Sequence, residues 1–458
     1  MPTFAGIGTD LDWAASITGP VMVKGTGTAY VFTGTAATGI ADADYPTLTT
    51  RGIAYLDGTY YVMEPDGTIW NSLAAADDPS SWPTDGFISA EFEPDAGVYI
   101  GKALNYVVAF GQWTTELFWD AANPTGSPLS PVQNGVLLIG CAAAGSVAQT
   151  ESTLMWVAQR KAQASTQHQG KFVAVLVGQS YEEVSTPDVS RVLESADMAQ
   201  VYSCIMELGG HSWYLLTLKS LDITLVYDIR NKQWYVWTRL AVGTPVTVAN
   251  LTQTNGLATG TATSHGMQDG DPAVVSGATP AGFNGTFNMK VTGSSAFQYT
   301  LNTTGTSTGT GASMQVTPYT ETAFDLITTL GYGGVQLGMD TAGNVYELTL
   351  GQALDNGNIP LNWRIRTVNM DQGNNERKFC SSLALNGDIA EEQTYGLVRC
   401  TDDDYQTYGY FRRFDLSDVR INQQRWGNYR RRAWEWRYTG SQRWRLKSLE
   451  PDIKQGVT

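Results

Sequence analysis

A unit of strand, turn and strand recurs along this chain at nearly constant intervals, and that recurrence narrows the choice of fold more than any other feature. Residues 60–72, YYVMEPDGTIWNS, place a Pro-Asp-Gly turn between two apolar strands, the second ending near Trp70. WYLLTLKSLDITLVYDIRNKQWYVW (213–237) and VQLGMDTAGNVYELTL (335–350) repeat the scheme, and VMVKGTGTAYVFTG (21–34) and KFVAVLVGQSYEEVS (171–185) are weaker copies. The turns are built from Gly, Asp and Asn, which tolerate positive φ, as hairpins require. Taking Trp70, Trp119, Val175 and Tyr227 as equivalent gives steps of 49, 56 and 52 residues. The next step, to Tyr346, is 119, and excising the 75 residues 243–317 leaves 44. A four-stranded propeller blade takes about 40–50 residues. The fold class expected is therefore all-β: a β-propeller of five to seven blades, at about 50–100, 100–150, 150–195, 200–240 and 325–350, with an inserted module. Blades bury both faces, which explains apolar runs where alternation would otherwise stand.

The domains read from this pattern are 1–242, the first part of the propeller; 243–317, the insert; and 318–458, propeller continuation with C-terminal strands. The insert is rich in Gly and Thr, and its only charges are Asp269, Asp271 and Lys290. About five short strands separated by Gly, Pro and Ser turns make it a small sandwich or barrel. Its ends should lie close together, because it interrupts the period without disturbing it. Between Tyr405 and Lys447 the composition changes again: ten Arg and one Lys face three carboxylates, interleaved with Trp426, Trp434, Trp436 and Trp444. A strand there places Arg430, Arg432, Trp434 and Trp436 on one side and Ala433, Glu435 and Arg437 on the other, followed by a turn at Thr439–Ser441 into a second strand, 442–449.

The chain as a whole carries −15, which argues against wrapping nucleic acid through phosphate contacts. Cys141, Cys204, Cys380 and Cys400 are scattered and lack metal or redox spacing, so buried free thiols are expected. The start has no basic stretch followed by an apolar one, and no apolar run nears the ~20 residues of a transmembrane helix. An intracellular, soluble product is the expectation.

Chemistry-bearing motifs are sparse. No phosphate-cradling Gly-rich loop ending in Gly-Lys-Ser/Thr occurs, and His168, His211 and His265 lack the spacing of a zinc site. Asp402-Asp403-Asp404 and Asp269-Gly-Asp271 offer carboxylates for calcium but not the full twelve-residue loop, so they read as solvated turn acids. A glycosidase needs two carboxyls flanking the bond, and Glu116, Asp120, Asp222 and Asp228 stand at blade turns with Trp113 and Trp119 as stacking platforms. Against it, the stretch Asp66 to Trp70 is only loosely similar to the Asp-boxes of sialidases. The expectation is no catalytic residue, no cofactor and no metal. The Arg/Trp segment has three readings: a protein interface, a paired strand with Arg stacked on aromatics, or a single-strand nucleic-acid platform. As an interface it would use Arg412, Arg413, Arg430, Arg431, Arg432, Trp434, Trp436, Arg443 and Trp444.

AFGQWTTELFWDAANPTGSPLSPVQNGVLLIGCAAAGSV, then LMWVAQRKAQ, then ITLVYDIRNKQWYVWT, and the Trp-Gly-x-x-Arg-Arg-Arg ending resemble the tail-hub proteins of short-tailed bacteriophages, also called packaged-DNA stabilisation proteins or tail nozzles. The resemblance covers roughly 50–240 and 320–450; the insert and the first 45 residues depart from it. It implies a structural virion protein of the tail, made in the host cytoplasm, that does no covalent chemistry. The implied partners are further copies in a six-fold ring, the portal-adaptor protein above, and a fibre, spike, needle or plug. DNA would pass through without sequence-specific binding. Trp113 and Trp119 would then be blade packing and Asp120 the closure of a turn. The alternative is a propeller glycosidase or glycan-binding tail protein.

Overall fold

Strand Thr59–Met63 shows how this chain builds its core: all five residues are buried. Tyr60 and Val62 face one way and pack with Met22 and Ala29, while Tyr61 and Met63 face the other and pack with Val107, Ala109 and Phe118. Successive side chains of a strand point to opposite faces, so one strand feeds two cores. The computed structural model describes residues 11–25, 28–34, 36–90, 92–150, 152–161, 170–301, 305–349, 352, 354–355 and 357–455. It has two compact units, Met1–Trp237 with Ala323–Thr349, and Thr238–Thr322 with Leu350–Thr458.

The first unit is a β-propeller of six successive antiparallel sheets among the described residues. Blade 1 comprises Asp12–Ala15, Val21–Lys24, Ala29–Phe32 and Ala37–Gly39; blade 2 comprises Ala54–Leu56, Thr59–Met63, Thr68–Asn71 and Phe87–Ser89. Blade 3 runs Gly97–Ala103, Tyr106–Gly111, Thr115–Asp120 and Leu129–Leu137. In blade 4 the first strand is broken into Gly140–Cys141 and Ala148–Gln149, ahead of Leu154–Gln159, Phe172–Val177 and Ser180–Glu183. Blade 5 runs Val201–Leu208, His211–Leu218, Ile223–Asp228 and Gln233–Val242, and blade 6 has Leu326–Tyr332, Val335–Asp340 and Val345–Leu348. The positions Trp70, Trp119, Val175, Tyr227 and Tyr346 all fall on the third strand of their blades, so the period was read in register. The N-terminal stretch, which the period left out, supplies blade 1.

The two-faced rule repeats from blade to blade. Val108 and Phe110 join Leu154, Trp156 and Ala158 between blades 3 and 4, while Met155 and Val157 join Tyr214 and Leu216 between blades 4 and 5. Leu215 and Val226 pack on Leu326 between blades 5 and 6. Inter-blade burial is thus the stabilising term, since no sheet covers its own faces. Blade 4 ends earlier than expected, at Glu183, and Pro187–Ser195 is a helix. Its local cause is legible: the Thr186 hydroxyl caps the Val189 N–H, Pro187 opens the first turn and Asp188 follows, while Val189 and Leu193 reach the core.

Blades 1 and 2 also share a buried charge. Lys24 is 0% exposed; its ammonium donates to the Thr50 carbonyl and the Thr49 hydroxyl, 3.9 Å from Asp12. Burial pushes its pKa down to about 8, outweighing the attraction of Asp12. Between about pH 8 and 10.5 the unfolded chain holds a proton that the folded chain has lost, so stability rises with pH there. Relative to Lys24→Met, wild type should gain roughly 3 kcal/mol across that window. Denaturation curves of both proteins through it provide the check, and parallel pH profiles would exclude Lys24 as the titrating group.

In the second unit the insert is a two-sheet sandwich. One sheet holds Val246–Thr247, Pro272–Ser276, Gly285–Asn288 and Gln315–Ala323; the other holds Asn250–Thr254, Leu257–Thr261, Lys290–Gly293, Ala296–Thr300 and Thr306–Gly309. Its core, with Leu251, Val275, Phe283, Phe297, Tyr299 and Val316, is its own. Val246 pairs with Val316, which brings the ends of the insert together. The boundary lies beyond the expected 243–317, because the last strand continues to Ala323 and stays paired at Ala273–Pro318.

Of the expected 318–458 segment only Ala323–Thr349 sits with the propeller; Leu350–Thr458 groups with the sandwich. There a five-stranded sheet, Leu354–Asp355, Ile359–Arg366, Ala433–Gly440, Tyr395–Thr401 and Arg412–Asp415 in spatial order, packs with a three-stranded one, Asn422–Tyr429, Lys378–Gly387 and Leu446–Gln455. The last strand starts at Leu446, later than expected, and pairs with Lys378–Gly387 rather than with the strand before it. Trp444, 1% exposed in the shared core, accompanies the crossing from one sheet to the other.

Candidate functional site

The Arg/Trp segment forms the heart of the C-terminal sheets. Strand Ala433–Gly440 is buried on both faces. Trp434, Trp436 and Tyr438 point into the core with Trp426 and Trp444, and the aromatic pairs sit 5.0–6.3 Å apart. Glu435 points the other way at 0% exposure and gathers three guanidiniums: Arg366 Nε at 2.7 Å, Arg437 Nε at 2.7 Å and an Arg399 amino group at 3.0 Å. Arg399 is sandwiched between Tyr408 and Phe411, 4.0 and 4.3 Å from the ring centroids. Burial opposes ionisation of Glu435, but Arg437 and the other two guanidiniums outweigh it and hold the carboxyl below its usual range. Glu435 is the only acid between Asp418 and Glu450, and that isolation was its signal in the sequence.

The expected interface residues separate by burial. Arg432 is 3% exposed, bound to Asp402 through two nitrogens at 2.7 and 2.8 Å and to the Trp426 carbonyl. It continues the line of the strand through a backbone bridge to Met370 and lies 5.4 Å from the Trp434 ring, whereas Arg430 and Arg431 stand in the bend before it. Arg431 pairs with Asp404, and Arg430 donates to the Asn375 carbonyl at 2.6 Å; both remain exposed. Arg412 is half-buried, donates to the Gln424 and Arg425 carbonyls, and stacks 4.2 Å over Trp426. Arg413, also half-buried, stacks 3.8 Å over Tyr395. Arg443 is exposed, with no ion pair or hydrogen bond among the described contacts. Trp434, Trp436 and Trp444 are core residues, each at most 2% exposed.

The acids of the Asp402–Asp404 run are therefore not merely solvated: two neutralise arginines, and Asp403 accepts from Thr401, Thr407 and the Thr407 N–H. Asp271 accepts from the Gln268 N–H and lies 3.7 Å from Arg437; Asp269 accepts from the Val291 N–H. Among the described residues no group of three or more His, Cys, Asp and Glu side chains is placed to hold a metal ion. His211 bonds Asp228 at 3.0 Å and His265 accepts from the Met267 N–H, while His168 and residues 1–10 lie outside the described residues. All four cysteines are free thiols; three are buried and Cys400 is half-buried.

The blade acids serve turns. Glu116, 8% exposed, accepts from the Phe92 N–H, and Asp120 accepts from the Ala122 N–H. Asp222 caps Ala323, and Asp228 accepts from the backbone of Arg230 and Asn231. Asp340 repeats that device with Ala342 and Asn344. Trp119 departs from the packing role expected of it: it is 46% exposed, because its strand turns Phe118 inward and Trp119 outward. Among the described residues no helix is long and apolar enough to cross a membrane.

A family model described as bacteriophage P22 Gp10, beta-propeller, matches residues 9–256. No curated protein matches the sequence. Similar solved structures include BamB from Moraxella catarrhalis, 8% identical over 75% of this chain and 94% of that one, at a TM-score of 0.31. Others are the dihydro-heme d1 dehydrogenase NirN in complex with DHE, at 11%, 74%, 66% and 0.34, and the computationally designed Ika8 protein, at 10%, 76%, 99% and 0.29.

Proposed function

The chain belongs to the phage stabilisation family of the bacteriophage P22 Gp10 β-propeller, and on that premise we propose that it is a structural part of the tail hub or nozzle below the portal and adaptor, extending the DNA channel and helping to retain the packaged genome. The supporting observation is how charge divides between the units. The propeller unit carries twenty-seven carboxylates against ten Lys and Arg, a net of −17, and the second unit seventeen against nineteen, a net of +2. Residues 57–95 hold nine carboxylates and no Lys or Arg. A wall of this sign repels phosphate, so DNA slides past rather than adhering. In this reading ring contacts, six-fold, and docking of the adaptor and of a fibre, spike or needle fall to the less acidic unit, where like-charge repulsion is weakest.

Particles assembled without this chain should fill with DNA and then lose it on warming, while complete particles keep it. Equal retention in both would remove the proposed role. The exposed arginines give a second test. Arg432 is unsuitable, since its loss would unpair Asp402 inside the domain. Arg430→Glu with Arg443→Glu should leave the melt unchanged and lower incorporation into tails at least tenfold, in line with the ~2–5 kcal/mol that a desolvated interfacial charge contact is worth. Sedimentation of the variant with its tail partners reads the outcome, and normal assembly would place both side chains in solvent.

A further inference from the structure

We infer that the second unit carries a binding site for an acidic carbohydrate, in the groove between the sandwich and the C-terminal sheet. The groove encloses about 130 Å³ and is lined by Asn288, Lys290, Gln298, Tyr410, Phe411 and Arg413, with Asp269 at its edge. Its walls belong to one compact unit. Gly270, at φ +86, fits there because Phe411 occupies the space a side chain would need: an added Cβ would meet the Phe411 ring at 2.5 Å. That contact sets the sandwich against the aromatic pair.

Three features converge on the ligand. Tyr410 is 79% exposed, a flat apolar platform that the fold leaves uncovered. Two cations face the same groove without a carboxylate within 4.0 Å among the described residues: Lys290, whose ammonium lies 5.4 Å from the Tyr410 ring, and half-buried Arg413 on Tyr395. Unlike Arg432, Arg431, Arg366, Arg399 and Arg437, each paired with a carboxylate, Arg413 forms no such ion pair among the described residues, and it is the arginine that lines this groove. Finally, Asn288 Oδ1 is buried and has no hydrogen-bond partner, although a buried acceptor is ordinarily satisfied.

A ligand matching all three needs an apolar ring face for Tyr410, a negative group for Arg413 and Lys290, and hydroxyl donors for Asn288 and Asp269. A pyranose bearing a carboxylate supplies each. A nucleotide would supply the ring and the anion, but its stacking base carries no hydroxyl groups, whereas a pyranose presents hydroxyl donors around the same ring that covers Tyr410. The site uses none of the blade acids and does not depend on the tail role.

Titration of the full chain with a glucuronic acid oligosaccharide, a neutral glucose oligosaccharide of the same length, inorganic phosphate and a short single-stranded oligonucleotide tests this. The glucuronate should bind at least about tenfold more tightly than the other three, since hydrogen bonds to charged groups carry roughly that factor or more. Tyr410→Ala and Lys290→Gln, both at exposed positions, should each weaken glucuronate binding several-fold with unchanged melts, and Arg413→Gln should weaken it about tenfold. Equal binding of glucose would overturn the role of the cations. Equal binding of phosphate, with no effect of Tyr410→Ala, would reduce the groove to an anion hole. Preference for the oligonucleotide, or no binding of glucuronate, would overturn the assignment.

Discussion

Glu435→Gln is expected to destabilise the C-terminal sheets by about 3–5 kcal/mol, the range for breaking a buried ion pair from one side. The wild-type carboxylate is fully buried and accepts from three guanidiniums at 2.7–3.0 Å. A glutamine has one acceptor oxygen, and its amide would direct N–H groups at cations. Arg366, with a side chain 44% exposed, can turn to water; Arg399 cannot, held between Tyr408 and Phe411 with 14% of its side chain exposed. The variant therefore keeps a buried charge without its counterion. The acid dependence follows from the same cluster. With the folded carboxyl held below the ordinary 4.5, its contribution is fully present above that pH and is lost as pH falls through the folded value. The gap between wild type and Glu435→Gln should thus be widest near neutrality and narrow under acid. Urea denaturation at several pH values measures it; a neutral-pH loss below about 1 kcal/mol, the usual range of solvent-exposed pairs, would show that the guanidiniums relax into water.

Much of the fold was legible because it rests on local signals. The period survives in single sequence since each blade repeats the same hairpin and ends its third strand on a bulky residue: Trp70, Trp119, Tyr227 and Tyr346. The insert was legible through a break in that period and in charge. What could not be read was which face of a strand meets what. Arg432 and Arg430 are two residues apart and look alike, yet one is bound to Asp402, thirty residues upstream, and the other reaches solvent. Partners so distant leave no spacing rule. The grouping of Leu350–Thr458 with the sandwich was hidden for the same reason: Asp271 meets Arg437, and Glu321 meets Asn362 and Arg364, through long-range contacts with no local pattern. The groove at Tyr410 has no local signature in the sequence because its walls come from separate segments.

Two tryptophans on strands of neighbouring blades should respond very differently to truncation. Trp156→Ala should cost about 3–5 kcal/mol, the range for deleting a large buried aromatic, whereas Trp119→Ala should cost less than about 1 kcal/mol. Trp156 is 0% exposed on the second strand of blade 4, edge-to-face with Phe110 at 5.0 Å and donating its indole N–H to the Gly140 carbonyl at 3.3 Å. Its loss opens a cavity in the layer that joins blades 3 and 4 and leaves that carbonyl without its indole donor. Relaxation cannot easily fill the gap, because the strand is fixed from its other face by Met155 and Val157 in the next layer. Trp119 is 46% exposed, and its removal opens no cavity. Thermal and urea melts of the two variants decide the point. Similar losses would mean that burial between blades is not what stabilises this propeller, and that something common to the strands, such as their hydrogen-bond ladders, sets its stability instead.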